Sequence, residues 1–497
     1  MKLLPRHAMP QEIELKLSLP GADPAGLAVH LARLPLLARR KPIRQALYNI
    51  YFDTPDQLLR QQRAALRLRR VGSAAQPQWL QTLKTGASDD SALSRRGEWE
   101  TAVTGPALSR DALKGTAWAA MDTDGSLFDR LMPCFVTQFE RTTWLVRRPD
   151  GSVVEVALDI GQIEADGRQA PICELELELK AGQSAALFDI ARVIALVMAV
   201  LPANQSKAQR GFLPAQLGLD QPQRAQPPRL NPDLAGVELA QCVLLERFAQ
   251  FTTNLNALGV SDDPEVVHQA RVGWRRFKSA LRLFCKLPAL ASAPAWPELN
   301  ALLSGLSELR NREVALTETL PPLEGAYCRG EAQRAEAWQA ALTTLTEAVA
   351  LQRQVVRHAL QDPAVGSNLL LMTQWLHDLA QTQHSGPEDK GELRQWAKRR
   401  VLRLQQRLHG AQKNVPTPQQ QHQVRILAKR LRYGAEALRD LLPKRLARLC
   451  GEQAAAIQTS IGATRDISQA SALAAALELN PGIVEFLRGV ELGLSLK

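Results

Sequence analysis

The chain has 497 residues, of which 45% are hydrophobic and 22% are charged, a composition typical of folded proteins and unlike that of disordered chains. This length exceeds what one ordinary core accommodates and indicates two or three domains. With 61 basic and 50 acidic residues the net charge is +11, which favours anionic partners such as nucleic acids, phosphates or acidic surfaces without choosing among them.

The sequence carries no signal for a membrane or for export. Its best apolar run, residues 190–201, contains Arg192 and is shorter than the roughly 18–20 uncharged residues that span a bilayer. No apolar stretch suited to secretion follows Met1. The six cysteines are scattered without a CxxC pair, which excludes a zinc ribbon or a disulfide framework. We therefore expect a cytoplasmic protein with no membrane association.

Residues 1–218 alternate apolar and charged side chains with a period of two, which predicts antiparallel β-strands. Two helices are predicted among the strands, near residues 25–34 and 184–200. Residues 219–232 contain four prolines and are predicted to form a linker. After this linker the period changes to 3.6, so residues 233–497 are predicted to form an all-helical domain.

Several of the predicted strands carry rows of like charge. Alternate residues of a strand share one face, so Glu12, Glu14 and Lys16 project together. The carboxylates of CELELELK, residues 173–180, do the same. A solvated sheet face would explain any single strand, but like charges about 7 Å apart repel, and whole strands are either acidic or basic. Since carboxylates suit hard divalent cations and Arg and Lys suit phosphate oxygens, the pattern favours a metal and a polyanion in one barrel.

The helical half contains an internal repeat. VHQARVGWRRFKSALRLF, residues 267–284, resembles QHQVRILAKRLRYGAEAL, residues 421–438, at an offset of 154. A further arginine follows each copy at a matching interval, Arg310 in the first and Arg465 in the second. The repeat predicts two similar helical bundles, over about 235–365 and 366–490.

In each copy the basic residues recur every three or four positions and would form one stripe on a helix. A single charged stripe is usually a solvated face, but its recurrence favours a positive groove for a linear phosphate polymer. Nucleic acid would satisfy the same charges; however, aromatic residues make up only 5% and no base-reading motif is present. The copies are not identical; for example, Asn311 of the first corresponds to Asp466 of the second.

The N-terminal motifs together resemble the CYTH superfamily, the triphosphate tunnel metalloenzymes. EIELK matches the ExExK signature of that family, and the remaining motifs follow in the family's order over residues 10–215: YFDTPD, LRLRR, TLK, RGEWE, FERTTWLV, VALDIG, ICELELELK and SKAQRG. Residues 235–490 resemble the CHAD domain, a histidine-containing helical module associated with polyphosphate. The combination resembles bacterial CYTH–CHAD inorganic triphosphatases.

The resemblance implies a two-domain α+β chain: an eight-stranded antiparallel β-barrel with flanking helices, followed by an all-α domain of two repeated bundles. It also implies site residues. The implied ligands of one or two Mg²⁺ or Mn²⁺ ions are Glu12, Glu14, Asp159, Glu174, Glu176 and Glu178. The implied triphosphate contacts are Lys16, Arg67, Arg69, Lys84, Arg141, Lys207 and Arg210. The implied catalytic residues are Glu12, Glu14, Lys16 and Glu100. The residues expected to bind polyphosphate are His268, Arg271, Arg275, Lys278, Arg310, His422, Arg425, Lys429, Arg432 and Arg465.

The expected activity is metal-dependent hydrolysis of inorganic triphosphate to diphosphate and phosphate, with water as nucleophile and no covalent step on the protein. Inorganic triphosphate and long-chain polyphosphate are the expected partners. Three alternatives stay open: hydrolysis of thiamine triphosphate, cyclisation of an adenine nucleotide, and a scaffold that binds polyphosphate without catalysis. The numerous carboxylates argue against the scaffold, because a pure anion binder has no use for them.

Overall fold

The computed structural model describes residues 11–72, 77–86, 91–212, 221–226, 230, 234, 236–379, 390–413 and 418–495. Residues 219, 220, 227–229, 231 and 232 of the predicted linker lie outside the described residues. The chain divides into two compact units. The first unit, which contains the barrel, comprises residues 1–223, 252–266 and 360–377, and the second comprises 224–251, 267–359 and 378–497.

Eight antiparallel strands close into a barrel in the first unit, as the sequence predicted. They are β1 (Gln11–Ser18), β2 (Ile43–Asp53), β3 (Ala64–Val71), β4 (Gln78–Thr85), β5 (Leu93–Val103), β6 (Met132–Arg147), β7 (Val153–Ala165) and β8 (Arg168–Ala181). The order around the barrel is β5-β4-β3-β2-β6-β7-β8-β1, and β1 pairs back onto β5. A two-residue strand, β9 (Leu201–Pro202), extends the sheet beside the end of β1.

The barrel is apolar outside and charged inside. Along β1, Leu15 and Leu17 are fully buried in a core that also contains Leu31 and Ile190 of flanking helices. The alternate residues of the same strand, Glu12, Glu14 and Lys16, project into the lumen and are buried there. Short helices complete this part: α1 (Pro24–Ala32), α2 (Leu58–Gln61), α3 (Trp118–Met121), α4 (Ala185–Ala195) and α5 (Lys207–Gly211). The charged faces of the predicted strands are therefore enclosed by the barrel.

Two stretches that follow the predicted linker pack with the barrel in the first unit. Leu370 is fully buried in the same apolar core as α4. Gly366 lies so close to the Val200 carbonyl that an added Cβ would come within 2.2 Å of the oxygen. Asn256 donates to the Pro202 carbonyl of β9 at 2.9 Å. Residues 252–266 and 360–377 thus complete the core around β9 and α4.

The rest of the described chain is helical, as predicted. The helices are α6 (Gly236–Leu258), α7 (Pro264–Phe284), α8 (Asn300–Val314), α9 (Glu324–Cys328), α10 (Ala332–Leu360), α11 (Pro363–Asp378), α12 (Lys390–Gln412), α13 (Pro418–Ala437), α14 (Lys444–Ala476) and α15 (Pro481–Ser495). No helix among the described residues is both long and apolar enough to cross a membrane.

The two repeat helices, α7 and α13, are joined through buried arginines in the second unit. Arg276 of α7 is 1% exposed and pairs with Glu246 at 2.9 Å and with Glu436 of α13. Arg247 donates to the carbonyls of Arg276 and Tyr433, at 3.1 and 3.0 Å. These arginines hold the helices together, because an unpaired buried charge would be strongly destabilising.

Candidate functional site

The register of the barrel places opposite charges directly across from each other in the lumen. Glu12 of β1 faces Arg96 of β5, and Lys16 of β1 faces Glu176 of β8. The same holds for the pair Arg141–Asp159 between β6 and β7, and for Lys84–Glu98 between β4 and β5. Such cross-strand pairs are favourable, so the register itself stabilises a lumen filled with both signs of charge.

Three carboxylates meet at one place on the lumen wall, and we call them the carboxylate trio: Asp159, Glu174 and Glu176. One oxygen from each lies within 4.8 Å of the others. Asp159 and Glu174 are directly opposed on β7 and β8, and neither is appreciably exposed to solvent. Arg141 donates to both oxygens of Asp159, at 2.7 and 2.6 Å, and also contacts Glu176.

The cations around the carboxylate trio keep Asp159 and Glu176 ionised. Burial acts to raise the pKa of Asp159, but Lys207 and Arg141 outweigh it and hold this pKa below the ordinary value. The pKa of Glu176 is lowered strongly, because Lys16, Lys207 and Arg141 together outweigh its burial. Asp159 and Glu176 therefore offer anionic oxygens at neutral pH.

The donor chemistry of the carboxylate trio fits a divalent cation. Mg²⁺ prefers oxygen ligands at about 2.1 Å, so its ligand oxygens lie at most about 4.2 Å apart. The three oxygens here lie within 4.8 Å of one another. A cationic group already takes the central position: Nζ of Lys207 lies 2.6, 2.5 and 2.8 Å from Asp159, Glu174 and Glu176.

The other three residues expected to bind metal lie outside the carboxylate trio. Glu12 and Glu14 are paired with Arg96, and Glu14 also lies 3.0 Å from Lys16. Glu178 pairs with Lys180 at 2.6 Å and is the most exposed member of its row. The structure thus gathers half of the expected ligand set and leaves the other half among basic partners.

Arg96 is a lumen residue that sequence reasoning missed. Its Nε donates to Glu12 at 2.6 Å, and its guanidinium also contacts Glu14. Burial opposes its charge, but Glu14 and Glu12 raise its pKa above the ordinary value. Its spacing could have indicated this position in the lumen, because Arg96 stands at alternate positions of β5 with Glu98 and Glu100 and so shares a face with them.

Arg69 has a different environment from the other lumen cations. Its Nε donates to the Asn49 side chain at 2.8 Å, and it forms no ion pair with any carboxylate of the described residues. Burial, followed by the charges of Arg67 and Arg141, lowers its pKa to about 10. A buried cation without a carboxylate partner among the described residues, such as Arg69, is suited to bind an anion such as phosphate.

The remaining implied contacts also lie in or near the lumen. Lys84 donates to Glu12 at 2.8 Å and pairs with Glu98 at 3.0 Å. Glu100 accepts from Thr82 at 2.9 Å, but its side chain is 37% exposed. Among the implied catalytic residues, Glu100 is therefore the one closest to solvent.

Helix α5 presents two cations to the lumen. The Ser206 hydroxyl accepts from the backbone amide of Gln209 at 3.1 Å, and the side-chain oxygen of Gln209 accepts from the backbone amide of Ser206 at 2.7 Å. This capping box fixes the start of the helix. Lys207 and Arg210, three positions apart, are both buried on its inner face. Gly211 permits the close approach of this helix, since a Cβ there would lie 2.2 Å from the Phe135 ring. The SKAQRG motif thus supplies a helix cap, two buried cations and a glycine at a close contact.

In the second unit the basic residues of both repeats come together. We call Arg271, Arg275, Arg310, Lys429 and Arg465 the basic cluster. Burial and then Arg275, Arg310 and Arg465 lower the pKa of Arg271 to about 10. Burial and then Arg275 and Arg271 lower the pKa of Lys429 to about 8. These mutual effects indicate one site that is rich in positive charge.

The surroundings of the basic cluster include few acidic groups. Glu318 pairs with Arg310 at 2.5 Å. Asp466 is half-buried and its pKa is raised by burial, although neighbouring cations act in the opposite direction. Nε and Nη1 of Arg425 are buried and have no hydrogen-bond partner within the described part of the chain. The other residues expected to bind polyphosphate lie on α7, where His268 and Lys278 are half-buried, and on α13, where His422 and Arg432 are exposed.

Comparison with known families matches one domain to each half of the chain. Residues 10–212 match the CYTH domain, and residues 242–475 match the CHAD domain. The chain therefore carries a CYTH domain followed by a CHAD domain, which confirms both resemblances drawn from the motifs.

Individual relatives are known for each half. An inorganic triphosphatase of Haemophilus influenzae is 33% identical over 207 residues, which are 42% of this chain and 56% of that protein. The match thus spans little more than half of that relative. The CHAD domain of the plant Ricinus communis is 25% identical with a TM-score of 0.47, covering 55% of this chain and 91% of that one. The Hippeastrum protein HpAC1, described as having a dominant triphosphatase activity, is 18% identical with a TM-score of 0.30, covering 40% and 93%.

Proposed function

We propose that the barrel hydrolyses inorganic triphosphate to diphosphate and phosphate with the aid of a divalent cation, Mg²⁺ or Mn²⁺. The observation that carries this proposal is the carboxylate trio facing buried cations within one enclosed lumen. A triphosphate is a short row of negative charges, and neither a purely acidic nor a purely basic lumen would suit both it and a metal ion. The similarity to an inorganic triphosphatase supports the choice of substrate.

In this proposal Asp159, Glu174 and Glu176 hold the cation. When bound, a divalent cation neutralises phosphate oxygens and lowers the pKa of a water molecule. The protein's own task is to bind and orient the substrate, because phosphoryl transfer depends on positioning and charge neutralisation. Arg69 is suited to the phosphate oxygens because it pairs with no carboxylate of the described residues. Arg67 is suited to them because its carboxylate partners, Glu98 and Glu100, lie no closer than 3.6 Å.

The remaining cations are held by carboxylates, and a bound substrate would compete for them. Lys16, Lys84, Arg96 and Arg141 each contact at least one glutamate or aspartate. Glu12 and Glu14 hold Lys16, Lys84 and Arg96 in place, and Asp159 and Glu176 hold Arg141. This pre-organisation lowers the cost of ordering long basic side chains around the substrate.

We propose that the basic cluster of the helical region binds long-chain polyphosphate. Five basic residues from both repeats meet there. On α13, Arg425 also has two buried donor atoms that find no partner among the residues described. Binding through many charge-assisted contacts is strong at low salt. The affinity falls as the salt concentration rises, because the release of counterions from the polyanion is then less favourable.

A turnover panel on the full chain tests the catalytic proposal. Tripolyphosphate, thiamine triphosphate and ATP are compared with and without Mg²⁺, and products are separated to detect cyclic nucleotide. The proposal requires the highest kcat/KM for tripolyphosphate and its loss without metal. Preference for thiamine triphosphate or formation of cyclic AMP would replace it with another activity of the tunnel. No turnover in any arm would leave a polyphosphate-binding scaffold.

A further inference from the structure

We propose that Lys207 competes with the divalent cation for the carboxylate trio: its ammonium neutralises the trio without metal and moves to the substrate when metal binds. This inference rests on the proposed metal centre and adds a role for one side chain that neither the motifs nor the relatives assign. Lys207 is then both a counter-ion in one state and a phosphate ligand in the other.

The contacts single out Lys207 among the lumen cations. Its Nζ lies within 2.8 Å of one oxygen of each trio member. No other cation of the described residues pairs with all three. Lys16 pairs with Glu174 and Glu176 but not with Asp159, and Arg141 pairs with Asp159 and Glu176 but not with Glu174. Lys207 alone stands where a metal ion would contact all three carboxylates.

Both cations cannot hold this position together. The oxygens around Nζ are 2.5–2.8 Å away, while a bound Mg²⁺ would stand about 2.1 Å from the same atoms. An ammonium left in place would also repel the divalent cation in a lumen from which solvent is largely excluded. Metal binding therefore requires that Nζ leave the carboxylate trio.

The backbone around Lys207 is held, so the movement belongs to its side chain. The capping box anchors the start of α5, and Gly211 packs its end against Phe135. The lysine stem has four flexible carbons, and its Nζ already lies 5.0 Å from the centre of the Phe139 ring. On leaving the trio, the ammonium stays inside the lumen, where phosphate oxygens are its new partners. The structure thus predicts an order in which metal binds first and improves the site for substrate.

Metal binding in the absence of any phosphate tests this directly. The full chain and its Lys207→Met variant, which keeps the length of the side chain without its charge, are titrated with Mn²⁺ in a calorimeter. We expect the variant to bind Mn²⁺ about tenfold more tightly or better. It should also have a lower Tm without metal and a larger rise in Tm when Mn²⁺ is added.

Arg210→Met is the matched control. This residue lies on the same helix and is also buried, but within the carboxylate trio it reaches only Glu174, at 3.5 Å, and its other contact is the Pro171 carbonyl. Its loss should change the Mn²⁺ affinity by less than about threefold. If Lys207→Met fails to fold, Lys207→Gln provides a neutral side chain that can still form hydrogen bonds. This variant must show the same gain in Mn²⁺ affinity.

The outcomes separate this inference from the proposed function. Equal or weaker Mn²⁺ binding by the folded Lys207 variants, with Mn²⁺ binding retained by the unaltered chain, overturns the competition and leaves the metal centre standing. Absence of Mn²⁺ binding in the unaltered chain and in every variant overturns the metal centre itself, and the competition falls with it.

Discussion

Glu12 and Arg96 face each other across the seam where β1 pairs with β5 and closes the barrel, and Arg96 Nε donates to Glu12 at 2.6 Å. The same guanidinium contacts Glu14. The seam is therefore held by backbone pairing on the wall and by an arginine shared between two buried carboxylates inside. Arg96 opens the RGEWE motif, and this relationship gives it a structural role that the resemblance does not assign.

Removal of this arginine should destabilise the barrel. Arg96→Met leaves Glu12 and Glu14 buried with less positive charge, and breaking a buried pair typically costs about 3–5 kcal/mol. The expected result is a clear fall in the unfolding free energy, measured by urea denaturation. Arg95→Met is the control, because Arg95 is exposed on the other face of β5 and should change stability by less than about 0.5 kcal/mol. Equal effects of the two changes would contradict the role of the seam.

A second prediction concerns the row of glutamates on β8. Glu176→Gln keeps the shape of a trio member but removes its charge, so kcat for tripolyphosphate should fall by about 100-fold or more. The gain in Tm on addition of Mn²⁺ should also disappear, a readout that does not depend on turnover. Glu178→Gln is the matched control, two residues along the same face. Its kcat should fall by no more than about threefold, because Glu178 pairs with Lys180 and is not part of the trio. If Glu178→Gln proved the more damaging change, the trio would not be the metal centre.

Arg69 provides a test of substrate binding with little effect on the fold. Arg69→Ala removes a cation without stranding a carboxylate, so stability should change little while kcat/KM for tripolyphosphate falls. A charge-assisted hydrogen bond contributes about 1.5–3 kcal/mol, which corresponds to a loss of about 10- to 100-fold. Arg70 is the control, because it lies on the opposite face, 5.0 Å from the centre of the Tyr48 ring. Retention of kcat/KM in Arg69→Ala would remove this residue from the substrate site.

The sequence predicted most of the fold because alternation specifies strands and also the face on which each charge lies. It could not predict which charges meet, because partners such as Glu12 and Arg96 are 84 residues apart and are joined only by the strand register. Glu174, Glu176 and Glu178 have the same spacing, yet only the first two lie beside Asp159. Position along the lumen is a property of the closed barrel, and a local pattern does not contain it.

The helical region should show a pH dependence through Lys429. Its pKa is lowered to about 8 by burial and by Arg275 and Arg271, so most of its charge is present near pH 7 and most is lost by about pH 9. Since the protonated form binds an anion, affinity for long-chain polyphosphate should fall over this interval at constant salt. Lys429→Arg keeps the charge throughout and should flatten the profile. Identical pH profiles for the two proteins would exclude Lys429 from the binding site.

The packing of residues 360–377 with the barrel gives a last prediction. An added Cβ at Gly366 would lie 2.2 Å from the Val200 carbonyl oxygen, and the fully buried Leu370 stands one turn further along α11. Gly366→Ala should therefore push α11 away from β9 and lower the unfolding free energy by about 1–3 kcal/mol.

Gly410→Ala in α12 is the matched control, since nothing lies within 4 Å of the added Cβ. This change should be neutral or stabilise by up to about 1 kcal/mol, because alanine is the better helix former. Hydrogen exchange locates the effect: Gly366→Ala should speed exchange in β9 and α4, and Gly410→Ala should not.

A fragment that ends at residue 218 lacks Leu370 and Asn256, so it should unfold at a lower Tm than the barrel of the full chain. If the fragment were as stable as the barrel of the full chain, residues 252–266 and 360–377 would not contribute to the stability of the barrel core.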